Sequence, residues 1–427
     1  MKILILTYYW PPGSGPGVQR WLKMSHELCE PGHEVTVVTV ADGAYPSMDE
    51  SLVSEVDSRV RVIRTATREP FRLFNRLRGK KGKEIPVGLT GIKESSSPIQ
   101  RFAIWLRANY FIPDARKGWR PYAIRAIEDI LKENELDVII TSGPPHSLHK
   151  VGQHFQMNHG MKWVADFRDP WVNIHYHELM PMSPKAKAKH QHMEDEVLQK
   201  ADLVTVVSPG MEREFRDRAN DIRIIYNGYD QEDFDAVSTE VDEGVFSISY
   251  VGNLKPNQNV EAFWTALVDC CAVSEAFRTK MRLRLIGRKD PGLVQRLEQM
   301  LPPGALEDIP YLEHQEAVHA MCRSSVLLFI IPKAKDNQAI LTGKLFEYLA
   351  SGRPMLSIGP VDGDAAHILE HTGAGKMLDY ANGRGMRERL LELFQHPQEA
   401  KPSTAVDGYS RKEQTAQLMD ALRRFTS

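Results

Sequence analysis

Residues 325–358 read as strand, loop, helix, strand, and that order constrains the fold more than anything else in the chain. Ser325-Val-Leu-Leu-Phe-Ile-Ile331 is an apolar run of strand length. The loop Pro332–Leu341 follows, then Thr342-Gly-Lys-Leu-Phe-Glu-Tyr-Leu-Ala-Ser-Gly-Arg-Pro354. Leu345, Tyr348 and Leu349 form an apolar stripe at helical spacing. Thr342 or Gly343 can cap its start, and Gly352 and Pro354 end it. Met355-Leu-Ser-Ile358 is the second apolar run. A strand–helix–strand unit of this kind belongs to a parallel sheet. Its loop therefore leaves the carboxyl end of a strand, where open α/β sheets bind ligands. Lys344 falls in the first helical turn, where a cation opposes the helix dipole but suits an anionic ligand. Glu347, one turn on, can accept hydrogen bonds from sugar or ribose hydroxyls. An ordinary crossover helix with a solvated Lys and Glu accounts for the same residues, and this stretch alone does not separate the two readings.

The N-terminus repeats the pattern. Ile3-Leu-Ile-Leu6 reads as a fully buried strand. Pro11-Pro-Gly-Ser-Gly-Pro-Gly17 follows, then an amphipathic helix from about Val18 to Glu30 and a strand over Glu34–Val40. Glycines such as Gly15 and Gly17 let backbone N–H groups approach a phosphate or sugar, although most such loops are merely turns. The loop is not the G-x-G-x-x-G dinucleotide fingerprint. At 427 residues the chain is long enough for two or more domains. A formal net charge of −2 gives no global field to attract nucleic acid. Four cysteines make no disulfide framework and no metal-ligand spacing, which fits a reducing cytoplasm. Met1–Leu6 is too short for a signal peptide, and no run reaches the ~18 apolar residues of a membrane span.

Several other stretches carry candidate chemistry. Arg68–Lys83 holds seven basic residues interleaved with Phe71, Leu73, Phe74 and Leu77. It reads either as a membrane-surface element or as a solvated basic loop. Asp114, Arg116 and Trp119 can hold a sugar acceptor or simply pack a loop between two helices. Asp137–His146 and Lys162-Trp-Val-Ala-Asp-Phe-Arg-Asp-Pro-Trp171 are strands whose ends present His146, Asp166, Arg168 and Asp169. Ends of that kind face the ligand crevice of an α/β sheet. His175, His177, His190 and His192, with Glu178 and Glu194, suggest zinc, but no pair follows H-E-x-x-H. No metal is expected.

Ala201-Asp-Leu-Val-Thr-Val-Val-Ser208, Tyr226-Asn-Gly-Tyr-Asp230, Met281-Arg-Leu-Arg-Leu-Ile-Gly-Arg288 and the 342–354 helix together resemble the retaining GT-B glycosyltransferases of family four. The resemblance spans nearly the whole chain and is weakest from Arg64 to Asn134. It implies an α/β fold of two Rossmann-like doubly wound domains facing a cleft. Residues 1–236 would form the acceptor-side domain and 245–407 the nucleotide-sugar domain, with a helix at about 408–427 packing back on the first. It further implies transfer of a sugar, with retention, from a nucleotide diphosphate sugar (UDP- or GDP-linked) to a glycan or lipid-linked acceptor. No metal or other cofactor would be obligatory. Asp169 and His146, with Asp166 or Arg168 bracing the loop, would lie near the reacting sugar. Gly15, Gly17, Gly252, Asn253, Lys255, Arg288, Tyr311, Leu312, Lys344, Leu345 and Glu347 would hold the donor, Tyr311 and Leu312 at the nucleobase and Glu347 at the ribose.

The chain departs from the family pattern at three points. Ala339 stands where a glutamate is common, and Asn253 and Gln258 stand where an arginine and a lysine hold the diphosphate. Lys344, Lys255 and Arg288 are the candidate replacements. The implied setting is cytoplasmic or peripheral at the inner face of a membrane. A nucleotide-sugar epimerase on the same fold, or a catalytically silent nucleotide-sugar-binding protein, is the alternative.

Overall fold

The computed structural model describes residues 1–68, 98–174, 180–235, 237–242, 244–397, 399–401 and 403–426. The chain divides into two compact units, Met1–Tyr226 with Thr415–Ser427, and Asn227–Gln414. Each is built on one all-parallel sheet, the expected α/β class with doubly wound topology.

The first sheet has seven strands: β1 (Lys2–Leu6), β2 (Glu34–Val40), β3 (Arg61–Thr65), β4 (Val138–Gly143), β5 (Lys162–Phe167), β6 (Leu203–Val206) and β7 (Ile222–Ile224). Their order is β3-β2-β1-β4-β5-β6-β7. The winding reverses between β1 and β4, so the loops after these two strands begin side by side at one end of the sheet. Ile3, Leu4, Ile5 and Leu6 are all fully buried, as a strand covered by helices on both faces must be. One face packs Leu4, Leu6 and Ile139 against Ile127, Val151 and Phe155. The other packs Ile3, Ile5 and Ile140 against Trp21, Met24 and Leu28 of the helix Pro16–Cys29, and against Leu418, Met419 and Leu422 of the last helix, Arg411–Thr426.

A charged pair runs through this core. Arg20 sits on the buried face of the first helix and is 1 % exposed. It donates to Asp166 on β5 at 2.8 Å and to the Ile225 and Tyr226 carbonyls at 3.0 and 2.8 Å. Asp166 also accepts from Thr205 on β6 (2.8 Å), Ser142 on β4 (2.7 Å) and the Trp21 indole (3.2 Å). One carboxylate thus ties a helix to three strands. Burial alone would raise the Asp166 pKa, but Arg20 and Ser142 outweigh it and hold the pKa below its ordinary value. The sequence lists Asp166 among catalytic candidates. With no exposed surface and four internal donors, it is a structural brace.

The loop Phe111–Trp119 is packed rather than open. Trp119 is 1 % exposed, donates to the Thr65 hydroxyl at 2.6 Å and lies edge-on to Tyr8. Asp114 accepts from the Ser147 amide and hydroxyl at 2.7 and 2.9 Å. These contacts favour the packed-loop reading over a sugar platform.

The second sheet has six strands: β8 (Phe246–Val251), β9 (Met281–Ile286), β10 (Leu306–Ile309), β11 (Val326–Ile330), β12 (Met355–Ile358) and β13 (Met377–Leu378). The order β10-β9-β8-β11-β12-β13 places its reversal between β8 and β11. Its core joins Phe263, Trp264 and Leu267 to Leu283, Leu328, Met386 and Leu390. All four cysteines are free and buried. No helix among the described residues is long and apolar enough to cross a membrane. Past Arg68, the basic segment 68–83 lies outside the described residues.

The charged pair makes a stability prediction. Asp166→Ala leaves Arg20 buried without its counter-charge, which costs about 3–5 kcal/mol. A urea unfolding midpoint measures this, and a loss below about 1 kcal/mol would show that the pair behaves as a solvated one.

Candidate donor site and the groups of the first unit

In the second unit the loops leaving β8 and β11 meet at the reversal of strand order. The Lys333 amide donates to the Asn257 carbonyl at 2.8 Å, and the Asn257 side chain returns a bond to the Lys333 carbonyl at 3.3 Å. The helix Gly343–Ala350 follows the β11 loop. Its apolar stripe is buried as its spacing requires, with Leu345, Phe346 and Tyr348 fully enclosed. The Tyr348 hydroxyl accepts from the Val251 amide at 2.9 Å, which pins the helix to the end of β8.

Lys344 extends from this helix across that strand end. Its ammonium lies 3.9 Å from the centre of the Tyr250 ring and donates to the Tyr250 hydroxyl at 2.6 Å. Tyr250 in turn donates to the Asn253 carbonyl (3.0 Å) and the Gln258 side-chain oxygen (3.2 Å). Glycine is required beside it. Gly252 has φ +112°, and a Cβ there would stand 2.6 Å from Lys344 Cε. Gly287, at the end of β9, would meet the Gly252 carbonyl at 2.7 Å. Burial is the main cause that lowers the Lys344 pKa to about 7, the Lys255 charge lowers it further, and Glu347 opposes the fall. An anion reaching this ammonium would restore its charge.

The remaining donor candidates separate by exposure. Asn253, Lys255, Arg288 and Tyr311 are exposed, and Leu312 and Glu347 are half-buried. Leu345 is a correction: its side chain is core and its amide already donates to the Thr342 carbonyl at 3.1 Å, so it offers a ligand no side-chain contact. Gln258 does not substitute for the family lysine. It is 4 % exposed, donates to the Ile330 carbonyl at 2.8 Å and accepts from the Lys255 amide, and so joins the ends of β8 and β11. Sequence reasoning missed Tyr250, whose only signal is a tyrosine two residues before a strand-ending glycine. It also missed His314, which bonds Asp233 at 2.8 Å. Burial alone would lower the His314 pKa, but Asp233 and the nearby Glu347 raise it.

In the first unit Gly15 turns the chain into its helix at φ +109°. Gly17 makes room for Arg168, whose guanidinium would meet a Cβ there at 1.8 Å. Arg168 donates to the Ser142 hydroxyl at 3.0 Å and to the Pro144 carbonyl at 2.5 Å, and lies over the Tyr9 ring. The loop-bracing role therefore belongs to Arg168 together with Asp166. His146 is 6 % exposed and lies flat on Trp171, ring centres 5.1 Å apart. His149, which the sequence reading passed over, is fully buried against Phe167 and bonded to Thr141 at 3.0 Å. Burial lowers its pKa to about 3 and keeps it neutral. Asp169 is exposed. Of the histidines read for zinc, His175 and His177 lie outside the described residues. His190 accepts from the Trp171 indole at 3.0 Å, and His192 is exposed.

Residues 92–233 match the family described as Glycosyltransferase Family 4. The match takes in about a third of the chain and marks a likeness to that family. The chain's fold is similar to a sucrose-phosphate synthase from Thermosynechococcus elongatus (TM-score 0.63, 14 % identity, 99 % of this chain and 98 % of that one). It is also similar to an alpha,alpha-trehalose-phosphate synthase (UDP-forming) from Burkholderia xenovorans (TM-score 0.65, 13 % identity, 99 % and 100 %). A putative UDP-N-acetylglucosamine 2-epimerase from Listeria monocytogenes shares the fold too (TM-score 0.55, 10 % identity, 99 % and 95 %). No curated protein matches the sequence.

The two close approaches at glycine yield a prediction. Gly252→Ala forces a β-carbon into a positive-φ position, at a cost of about 1–3 kcal/mol, and pushes Lys344 off Tyr250. Thermal denaturation together with nucleotide titration should show a lowered midpoint and weakened binding. Unchanged binding would mean that the position of Lys344 is not set by this glycine.

Proposed function

We propose that the protein is a glycosyltransferase that takes a sugar from a UDP- or GDP-linked donor and moves it, with retention, to a glycan or lipid-linked acceptor. The observation that carries this reading is Lys344, an ammonium sunk against Tyr250 at the strand-order reversal of the second unit. A half-buried cation at a helix N-terminus is suited to a diphosphate. The family 4 match supports the same class. Glu347 holds the ribose hydroxyls, and Tyr311 and Leu312, just past β10, take the base. Lys255 and Arg288 share the charge of the leaving diphosphate with Lys344, so no metal is obligatory. In the first unit Asp169 and His146 serve the acceptor and the reacting sugar, with Arg168 and Asp166 as positioning residues. The acceptor hydroxyl bonds to the anomeric carbon on the face the diphosphate leaves, and its proton passes to the departing phosphate oxygen. Retention follows from that single-face exchange. The setting is cytoplasmic, and a lipid-linked acceptor would bring the basic segment 68–83 to a membrane surface.

The Listeria fold neighbour favours one second reading, a nucleotide-sugar epimerase. Turnover of donor into a new nucleotide sugar without acceptor would select it.

Calorimetry with UDP, GDP, ADP and their common sugars tests the proposal. One nucleotide should bind selectively, and both Lys344→Ala and Glu347→Ala should weaken it, each by about 1.5–3 kcal/mol for a charged hydrogen bond lost. Binding indifferent to both substitutions sinks the donor-site assignment.

The Lys344 pKa adds a signed pH dependence. With a free-protein pKa of about 7, raised when a diphosphate binds, affinity is full below pH 7 and falls as pH rises through 7. Binding at pH 7 should take up about half a proton, as a group at its pKa is half protonated. Titrations in buffers of different ionisation enthalpy read that uptake, which Lys344→Ala should abolish.

A further inference from the structure

The stop of the helix that carries Lys344 places a second buried cation at the other end of the same sheet. Gly352-Arg353-Pro354 closes that helix and leads into β12. Proline biases the residue before it away from helical backbone, and the Arg353 amide donates to the Ser351 hydroxyl at 3.3 Å. β8, β11 and β12 run parallel. Arg353 therefore stands at their amino end, whereas Lys344 lies at the carboxyl end of β8. Arg353 is 5 % exposed. Its Nε donates at 2.6 Å to the carbonyl of Cys322, the last residue of the helix His314–Cys322. That cap uses one of five guanidinium N–H groups. Among the described residues Nη2 is buried without a hydrogen-bond partner, and no carboxylate pairs with the guanidinium. Arg20, just as deeply buried, has Asp166 and two carbonyls. Burial lowers the Arg353 pKa, and the Cys322 thiol is the one group that opposes the fall. Arginine cannot shed its proton to escape such a cost.

Arg353 lines a cleft of about 540 Å³, bounded by the helix end, by Thr372 to Ala374 before β13, and by the stretch that holds Pro397, Lys401 and Val406. All of it belongs to the second unit. A space of that size suits a small metabolite. Leu349, Pro354 and Val406 give it apolar walls, and Thr372 and Ser403 add hydroxyls. The Lys401 amide donates to the Gly352 carbonyl at 3.1 Å, which ties this stretch to the helix stop. The Lys401 ammonium meets Glu399 at 3.6 Å, with both side chains exposed (81 and 87 %). An ion pair that open to water holds weakly, so a ligand can draw the lysine away from it.

We propose that this cleft binds the phosphate or carboxylate group of a small metabolite, held by the Arg353 guanidinium with Lys401 at the rim and Leu349, Pro354 and Val406 against the rest of the molecule. A guanidinium presents parallel N–H groups that match two oxygens of either anion. The cap on Cys322 explains the Nε bond alone. It does not account for a charge carried into the wall of a cleft with Nη2 unpaired. The site is separate from the donor site by its place at the opposite end of the strands, and Lys344→Ala keeps their tests apart.

Thermal denaturation of the full chain is measured against inorganic phosphate, glycerol 3-phosphate and succinate, with sodium chloride at matched ionic strength as the blank. The wild type and Lys344→Ala should both show a saturable rise in midpoint with an oxyanion. A larger rise with glycerol 3-phosphate identifies a phosphate ligand, and a larger rise with succinate a carboxylate. In the Lys344→Ala background, Arg353→Met should weaken the response roughly tenfold to a hundredfold, as for a charged hydrogen bond lost. Lys401→Ser should weaken it roughly two- to fivefold. Where Arg353→Met does not fold, Lys401→Ser, at an exposed position, decides: unchanged affinity there makes Arg353 a helix cap only and overturns the proposal. Two other results overturn it. One is no rise beyond chloride in Lys344→Ala, which leaves the donor site as the anion's place. The other is a folded Arg353→Met that titrates like its parent.

Discussion

Lys344 gives up part of its water to lie on Tyr250, and the ends of β8 and β9 in the second unit are fitted to that contact. Even a half-buried ammonium is costly unless something favours its charged form. The Tyr250 ring face and hydroxyl recover part of the cost, and Glu347 recovers more. The backbone is fitted to the arrangement: Gly252 has no β-carbon because Lys344 Cε occupies the space, and Gly287 has none because the Gly252 carbonyl does. Tyr348 holds the end of β8 through the Val251 amide, so the helix that carries Lys344 also fixes the strand that carries its partner. The lysine is left balanced between charged and neutral, a state an arriving anion resolves.

The two units solve the same topological problem with different chemistry. Each winds a parallel sheet outward from a reversal point and must hold the strand ends there in register. In the first unit the tie is ionic, the Arg20–Asp166 pair with hydroxyls from β4 and β6. In the second it is neutral, with Gln258 and two tyrosine hydroxyls bonded to main-chain groups. A buried ionic tie is strongly penalised when one partner is lost, whereas amide and phenol ties cost only the hydrogen bond. The first unit can thus keep Asp166 charged in its core, and that is why an aspartate at a strand end proved to be structure.

The sheets were legible in the sequence because buried parallel strands leave continuous apolar runs, and Ile3–Leu6 and Val326–Ile330 show them plainly. The helix 342–354 was legible from its stripe and its Gly-x-Pro stop, and Lys344 from its place in the first turn. The roles of Asp166, Trp119 and Leu345 were not. Each depends on contacts with residues distant in sequence: Asp166 meets Arg20 across 146 positions. Nothing in a local pattern tells a carboxylate facing a crevice from one facing a buried guanidinium. Arg20 did carry a faint signal, a charged residue one helical turn before the buried Met24. Gly17 illustrates the same limit from the other side. Its absent side chain looked like room for a phosphate, and in the folded unit that room is taken by Arg168.

The departures from the family pattern then take on physical meaning. Where a lysine would reach a diphosphate, Gln258 is spent on the Ile330 carbonyl, and Asn253 is exposed and uncharged. Lys344 is half-buried, and Lys255 and Arg288 are exposed. Charges in water contribute little until a ligand displaces that water, because the same pair of charges at 4 Å is worth about 1 kcal/mol in bulk solvent and several times more near a protein surface. Charge compensation for a leaving group would therefore rest first on Lys344 and only after desolvation on the other two. A site built this way holds its strongest electrostatic interaction at a fixed, prearranged point, and it draws the remainder from side chains whose effect grows as water leaves.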